Sequence, residues 1–189
     1  TAIVHLMVGL RSEPRDRVHL SFAAVSLLYG VYSINLFFLY TALNTGLLER
    51  YVFTDKWGLA TFYLAIASLF WFIAAYTHAK QNVVLWILSG LYILIALSNF
   101  ILPYTWVYTD IEMTSVFPPN ITIAPRYSVE LVITLCLIIT YTTYRIVRLF
   151  RSGEKRAAIA LGIAMGIYTV TYAYDVAIEY GLVDSVLLQ

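Results

Sequence analysis

Long apolar runs, separated by short polar stretches, make up most of this chain. Five of them are long enough to supply the about 20 apolar residues that a helix needs to cross a bilayer. These five lie at residues 18–44, 57–79, 83–103, 127–150 and 156–182. Shorter apolar ends at 1–10 and 183–189 are interpreted as part of a first helix and the start of a last one. The pattern predicts an all-α, polytopic membrane helix bundle with about seven crossings, five of them complete.

Composition supports a membrane location. Hydrophobic residues make up 61% of the 189 residues and charged residues only 12%, whereas soluble domains have about 45–50% apolar and about 25% charged residues. We therefore expect residues 1–189 to form a single transmembrane domain whose main partner is the lipid bilayer. The formal net charge of +1 argues against a nucleic-acid partner.

The basic residues are unevenly distributed between the two sides of the predicted bundle. With alternating crossings, nine fall on one side: Arg11, Arg15, Arg17, Lys80, Arg145, Arg148, Arg151, Lys155 and Arg156. The other side has only Arg50, Lys56 and Arg126. Because cytoplasmic loops carry the excess of Lys and Arg, the N-terminus is expected outside and the C-terminus in the cytoplasm. The connections at 46–56 and 104–126 are then external, and the prolines of the second rule out a continuous helix.

Polar side chains on four predicted helices fall at a similar depth. Counting 1.5 Å per residue from the cytoplasmic edge places Asp175, Glu130, Asn35 and Asn99 at about 22–28 Å, with Tyr63 and Tyr172 nearby. Ionisable groups within spans usually face a bundle interior or an aqueous cavity. These residues therefore predict an outward-facing pocket for a small-molecule ligand.

Two simpler interpretations of this polar layer stay open. The side chains could merely hydrogen-bond one helix to another, which is a modest stabilising interaction in membranes. Alternatively, Asp175 and Glu179, one helical turn apart, could contact water at the headgroups.

Small residues recur at intervals of four in the same predicted helix as Asp175. Ala158, Gly162 and Gly166 follow this spacing, which allows two helix backbones to approach closely. The neighbour is expected within the bundle, with a homodimer as the alternative.

Motifs for catalysis, metals or cofactors are absent from the sequence. There is no phosphate-binding glycine loop and no zinc-spaced set of Cys and His, so we expect neither enzymatic activity, nor a metal site, nor a cofactor in this chain. His5, His19 and His78 all fall toward the predicted cytoplasmic side, but their spacing matches no haem or quinone motif. Cys136 is interpreted as a small buried apolar residue.

Four segments occur in an order that resembles a known kind of module. They are HLMVGLRSEPRDRVHLSFA (5–23), WFIAAYT (71–77), RSGEKRAA (151–158) and YDVAIEYG (174–181). Together they resemble the seven-helix N-terminal membrane sensor regions of bacterial signalling proteins, which precede PAS, histidine-kinase or diguanylate-cyclase domains. The resemblance implies a multi-pass module of the bacterial inner (plasma) membrane that detects a ligand or membrane state. Its last helix would pass the signal to a cytoplasmic signalling domain, as in two-component systems.

Three functions therefore compete at this stage. The first is a sensory or receptor module with an outward polar pocket. The second is a non-catalytic structural subunit that packs on partner membrane subunits, with the acidic residues in structural roles. The third and weakest is a small redox or transport protein.

Overall fold

The structure, a computed structural model, describes residues 2–11, 16–79, 83–116, 119–125 and 129–179. For the helical residues Glu130, Asp175 and Glu179 it describes the backbone alone. The chain divides into two compact units, Thr1–Arg126 and Tyr127–Gln189. Each unit is described by itself below.

Helices account for most of the described residues. They are α1 (Ala2–Arg11), α2 (Arg17–Asn44), α3 (Leu48–Tyr76), α4 (Val83–Ser98), α5 (Val129–Arg151) and α6 (Lys155–Glu179). An antiparallel hairpin of β1 (Tyr108–Val116) and β2 (Pro119–Pro125) lies between α4 and α5. The predicted helical fold class is confirmed, and the hairpin is an addition to it within the connection predicted only to be non-helical.

Among the described residues, four helices are long and apolar enough to cross a membrane. They are α2, α3, residues 132–151 of α5 and residues 155–174 of α6. The fourth predicted crossing, at 83–103, is shorter than predicted, because α4 ends at Ser98. Its 16 residues rise only about 24 Å. The predicted last helix at 183–189 lies outside the described residues.

The start of α2 is set by a side-chain cap. Oδ1 of Asp16 accepts hydrogen bonds from the backbone N–H groups of Val18 (2.9 Å) and His19 (3.3 Å). Nδ1 of His19 lies 2.8 Å from the other carboxylate oxygen. These bonds satisfy N–H groups that have no partner within the first turn of a helix, so α2 begins within one residue of its predicted start.

The first unit is organised around α3, on which both α2 and α4 pack. Four side chains of α3 are fully buried: Tyr63, Ile66, Phe70 and Ile73. By contrast, α2 buries only two alanines among its described residues, and its large apolar side chains face outward. Such a distribution suits a helix whose outer surface is covered by lipid or by another protein.

The second unit is a helical hairpin of α5 and α6. The turn between them uses Gly153 at φ +96°, a conformation that is costly for residues with a Cβ. Buried side chains recur at intervals of three, four or, once in α6, seven residues, which is the spacing of a helix–helix contact. They are Thr134, Ile138, Thr142, Arg145 and Leu149 of α5 and Ala158, Leu161, Met165 and Tyr172 of α6.

Candidate ligand site

The six residues predicted to line a pocket are divided between the two units. Asn35, Tyr63 and Asn99 belong to the first unit, whereas Glu130, Tyr172 and Asp175 belong to the second. The side chains of Glu130 and Asp175 lie outside the described part of the chain. A pocket that includes all six therefore stays a prediction, and each set is described within its own unit.

Two of the three residues of the first unit, Asn35 and Asn99, lie at a similar level along α3. Asn35 of α2 faces Gly58, whose Cβ, if it had one, would lie 3.8 Å from that of Asn35. Asn99 donates a hydrogen bond from Nδ2 to the carbonyl of Lys56 over 3.0 Å. Tyr63 is on α3 itself and stacks on Tyr92 of α4, with ring centroids 6.4 Å apart. Lys56 and Tyr63 are separated by only about 10 Å along the helix axis.

Asn99 is fully buried and both ends of its amide are hydrogen-bonded to backbone. Besides the bond to Lys56, its Oδ1 accepts a hydrogen bond from the backbone N–H of Trp106 at 3.2 Å. The indole N–H of Trp106 in turn donates to the Ser98 hydroxyl at 2.9 Å. Asn99 thus joins α3 to the segment between α4 and β1. Asn99 therefore holds two parts of the fold together, as in the interpretation in which the polar side chains only hydrogen-bond one helix to another. Its amide is not left available for a ligand.

Further polar side chains surround Asn99 at the hairpin end of the first unit. We call Asp55, Lys56, Asn99, Thr105 and Tyr108 the hairpin-side cluster. Thr105 and Tyr108 are buried, and the Tyr108 hydroxyl lies against the Asp55 carboxylate. Among the described residues no partner meets regular hydrogen-bond geometry with this hydroxyl, although both Asp55 and Thr105 lie close enough to change its pKa.

The surroundings of Tyr108 keep it a neutral phenol. Burial raises its pKa, and the negative charge of Asp55 raises it further. A buried polar group without a regular hydrogen bond is uncommon in folded proteins and calls for an explanation. Tyr108 therefore marks a place where a buried hydroxyl lies beside a carboxylate.

An open cavity of about 390 Å³ adjoins this cluster. We call it the hairpin-side cavity; its lining residues are Leu48, Glu49, Val52, Phe53, Lys56, Pro103 and Tyr104. The Lys56 ammonium donates a hydrogen bond to the carbonyl of Leu102. A hydrogen bond to Asp110, followed by the charge of that carboxylate, raises the pKa of Tyr104. The cavity thus combines an apolar wall with charges of both signs, and it shares Lys56 with the cluster.

Sequence reasoning missed Asp55, Lys56 and Tyr104 as site residues. The segment 46–56 was expected to be an external connection because it lies between the apolar runs 18–44 and 57–79 and carries four charged residues. In the structure α3 begins at Leu48, with Glu49 and Arg50 exposed. The spacing of Leu48, Tyr51 and Val52 is the helical signal that could have revealed this extension.

The predicted packing residues of α6 do not all face α5. Ala158 is buried, and a Cβ on Gly162 would lie 3.8 Å from Cδ1 of Ile146 on α5. Gly166 is exposed, and a Cβ there would meet nothing within 4 Å. Within the second unit, Ala158 and Gly162 therefore face α5 and Gly166 does not. The buried ring of Tyr172 stacks nearly parallel on Tyr168, with centroids 6.4 Å apart.

Two of the three histidines meet at the other end of the first unit. The ring of His5 on α1 lies 5.1 Å from that of His19 and 4.5 Å from that of Phe22. His19 is already paired with Asp16. Across the described ranges, no three His, Cys, Asp or Glu side chains are placed to hold a metal ion together. Cys136 is exposed on α5, so its interpretation as a buried residue is wrong.

Comparison of the chain with protein-family models, with curated proteins and with solved structures finds no match.

Proposed function

We propose that this chain is a membrane sensory module that binds an extracytoplasmic or membrane-borne ligand at the hairpin-side cavity and transmits the event to a cytoplasmic output domain. The observation that supports this proposal is that Lys56 of α3 belongs both to the open hairpin-side cavity and to the hairpin-side cluster. The binding event would act directly on α3, on which both neighbouring helices pack.

The proposed mechanism begins with the Lys56 ammonium. An anionic group in the cavity would compete with the Leu102 carbonyl for this ammonium and would loosen the 99–108 segment from α3. A ligand shifts the balance between two helix arrangements only as far as it binds one better than the other.

The response would reach the opposite end of α3. There, the ring of Phe72 lies 5.5 Å from that of Phe22 on α2. A shift or rotation of α3 would therefore change the distance between α2 and α3 at a point far from the cavity. In the proposed orientation this end faces the cytoplasm.

Cross-linking tests this coupling without knowledge of the ligand. Cysteines at Phe22 and Phe72, in a Cys136→Ser background, should form a disulfide at a measurable rate in native membranes. Adding Lys56→Met should change this rate several-fold, because it removes one of the two hydrogen bonds that hold the 99–108 segment to α3, the bond from the Lys56 ammonium to the Leu102 carbonyl. The measurement is the rate of disulfide formation under a mild oxidant.

Lys155→Met serves as the matched control, because Lys155 is an exposed lysine at the start of α6. An unchanged rate with Lys56→Met would count against transmission through α3.

The predicted pocket residues Asp175 and Glu130 keep their own test. Asp175→Asn and Glu130→Gln should disturb the native output more than Glu179→Gln does.

The proposed orientation places the N-terminus outside, the C-terminus in the cytoplasm and about seven crossings between them. It is supported by the nine basic residues on one side against three on the other. A cysteine at Ser152, in a Cys136→Ser background, should react with membrane-impermeant maleimide only after the membrane is opened. A cysteine at Thr109 should react in intact cells. Labelling of Ser152→Cys from outside would overturn the orientation.

A non-catalytic structural subunit of a larger membrane complex is the second candidate function. The observation that favours it is the outer surface of α2, where the large apolar side chains of Ile34, Phe37 and Phe38 are exposed. Partner membrane subunits could cover this surface. In that case the chain should co-purify with them in a mild detergent, and the cross-linking rate should not respond to Lys56→Met.

A further inference from the structure

A second cavity of about 390 Å³ lies at the opposite end of the first unit, between α2, α3 and α4. We call it the Arg17 cavity; its lining residues are Arg17, Leu20, Ser21, Trp71, Ala74, Ala75, Ala79 and Leu85. Of the described residues that line it, Arg17 is charged and none is acidic. The remainder of the wall is mostly apolar.

The apolar part of this cavity is a groove with a defined shape. Ala74 and Ala75 of α3 leave space because their side chains are small. Trp71 is held in place from α4, since its indole N–H donates to the Ser89 hydroxyl at 2.7 Å. Its ring also makes an edge-on contact with Trp86, with centroids 4.9 Å apart. The groove can therefore accept a flexible apolar chain without first rearranging its walls.

Arg17 is placed to receive an anion at the end of this groove. It is the first residue of α2 and is exposed. The adjacent acid, Asp16, already accepts hydrogen bonds from His19 and from backbone N–H groups. In the part of the chain that the structure describes, no carboxylate forms an ion pair with Arg17. Its planar guanidinium can thus offer paired N–H donors to a phosphate.

We infer that the Arg17 cavity binds an anionic phospholipid, with the phosphate on Arg17 and an acyl chain along the Ala74–Ala75 groove. α2 and α3 are both long enough to span a bilayer, so the end of α2 at Arg17 lies at headgroup level. Basic pockets between helices on the cytoplasmic side are a recurrent way of binding anionic lipid headgroups. This inference does not depend on the ligand proposed for the hairpin-side cavity.

Native mass spectrometry of the full chain in detergent, with added phosphatidylglycerol or phosphatidylcholine, tests the inference. The wild-type chain should retain phosphatidylglycerol in preference to phosphatidylcholine. Arg17→Gln should weaken retention of phosphatidylglycerol about fivefold, since one basic side chain near a charged surface has an effect of this order. Arg17→Lys should restore part of the loss, because it keeps the charge but not the paired donors.

Arg156→Gln is the matched control, because Arg156 is an exposed arginine in the first turn of α6. It should retain phosphatidylglycerol like the wild type. Ala75→Phe should fill the groove and lower retention with the charge unchanged, and its melting temperature in phosphatidylcholine checks that it folds. Equal losses in Arg17→Gln and Arg156→Gln would overturn the inference in favour of general attraction to basic residues. Displacement of the lipid by inorganic phosphate alone would also overturn it, because the acyl chain would then contribute nothing.

Discussion

Replacing Asn99 with leucine should lower the free energy of unfolding of the first unit by about 2–4 kcal/mol. Leucine has a similar size but cannot accept the hydrogen bond of the Trp106 N–H or donate to the Lys56 carbonyl. A buried donor that loses its acceptor costs about 1–3 kcal/mol, and the second lost bond adds about 1 kcal/mol. Because Asn99 is fully buried, water cannot readily take the place of the missing amide.

Thermal unfolding of the purified chain, in detergent and again in lipid, measures this effect. Asn44→Leu is the matched control, since Asn44 is an exposed asparagine at the end of α2. It should change the free energy of unfolding by no more than about 0.5 kcal/mol. Equal melting temperatures for Asn99→Leu and Asn44→Leu would show that the amide of Asn99 does not join α3 to the segment after α4.

Leucine substitutions at two small residues of α6 should have effects of opposite sign. Ala158 is buried, so Ala158→Leu inserts three carbon atoms into a packed contact and should cost about 1–3 kcal/mol. Gly166 has no neighbour within 4 Å of a Cβ. Gly166→Leu should therefore stabilise the helix by up to about 1 kcal/mol, because glycine is a poor helix former.

The measurement is again the melting temperature, here compared at several protein concentrations. A destabilising effect of Gly166→Leu that depends on concentration would show that Gly166 contacts a second copy of the chain. That outcome would favour the homodimer that the spacing of Ala158, Gly162 and Gly166 leaves open. A stabilising effect at every concentration would place this face of α6 against lipid.

The helices whose limits the sequence predicted well are those where hydrophobicity and local chemistry change together. α2 was expected at 18–44 and is found at Arg17–Asn44, because the apolar run begins two residues after Asp16, which caps the helix. α5 was expected at 127–150 and is found at Val129–Arg151, where the apolar run ends in basic residues. In both cases the limit of the apolar run and the polar residues beside it indicate the same end of the helix.

The errors occur where the two signals disagree. α3 starts nine residues before its predicted start at 57, because its charged first turns can form a helix but do not form an apolar run. α4 stops at Ser98 although apolar residues continue beyond it, because the buried Asn99 amide bonds to α3 and to Trp106. Tertiary hydrogen bonds of this kind cannot be read from hydropathy. The hairpin had a weak signal in the alternation of Asn120-Ile121-Thr122-Ile123.

For the candidate site, the sequence predicted the level of some residues along the helices but not their hydrogen bonds. The depth count brought Asn35 and Asn99 to one level, with Tyr63 nearby, and the structure places Asn35 beside Gly58 and Asn99 beside Lys56 on α3. Depth alone could not show which side chains form hydrogen bonds with the backbone, as that of Asn99 does. It also could not identify Lys56, because that residue was assigned to a loop.

The length of α3 has a consequence for how strongly a charged ligand could bind. Its 29 residues rise about 44 Å, whereas the hydrocarbon core is about 30 Å thick. If the apolar part of α3 fills that core, an overhang of about nine residues projects into the headgroup region and the water beyond it. The overhang matches residues 48–56 and carries Glu49, Asp55 and Lys56. An anion approaching Lys56 would then keep part of its hydration shell and avoid the large dehydration penalty of the hydrocarbon core.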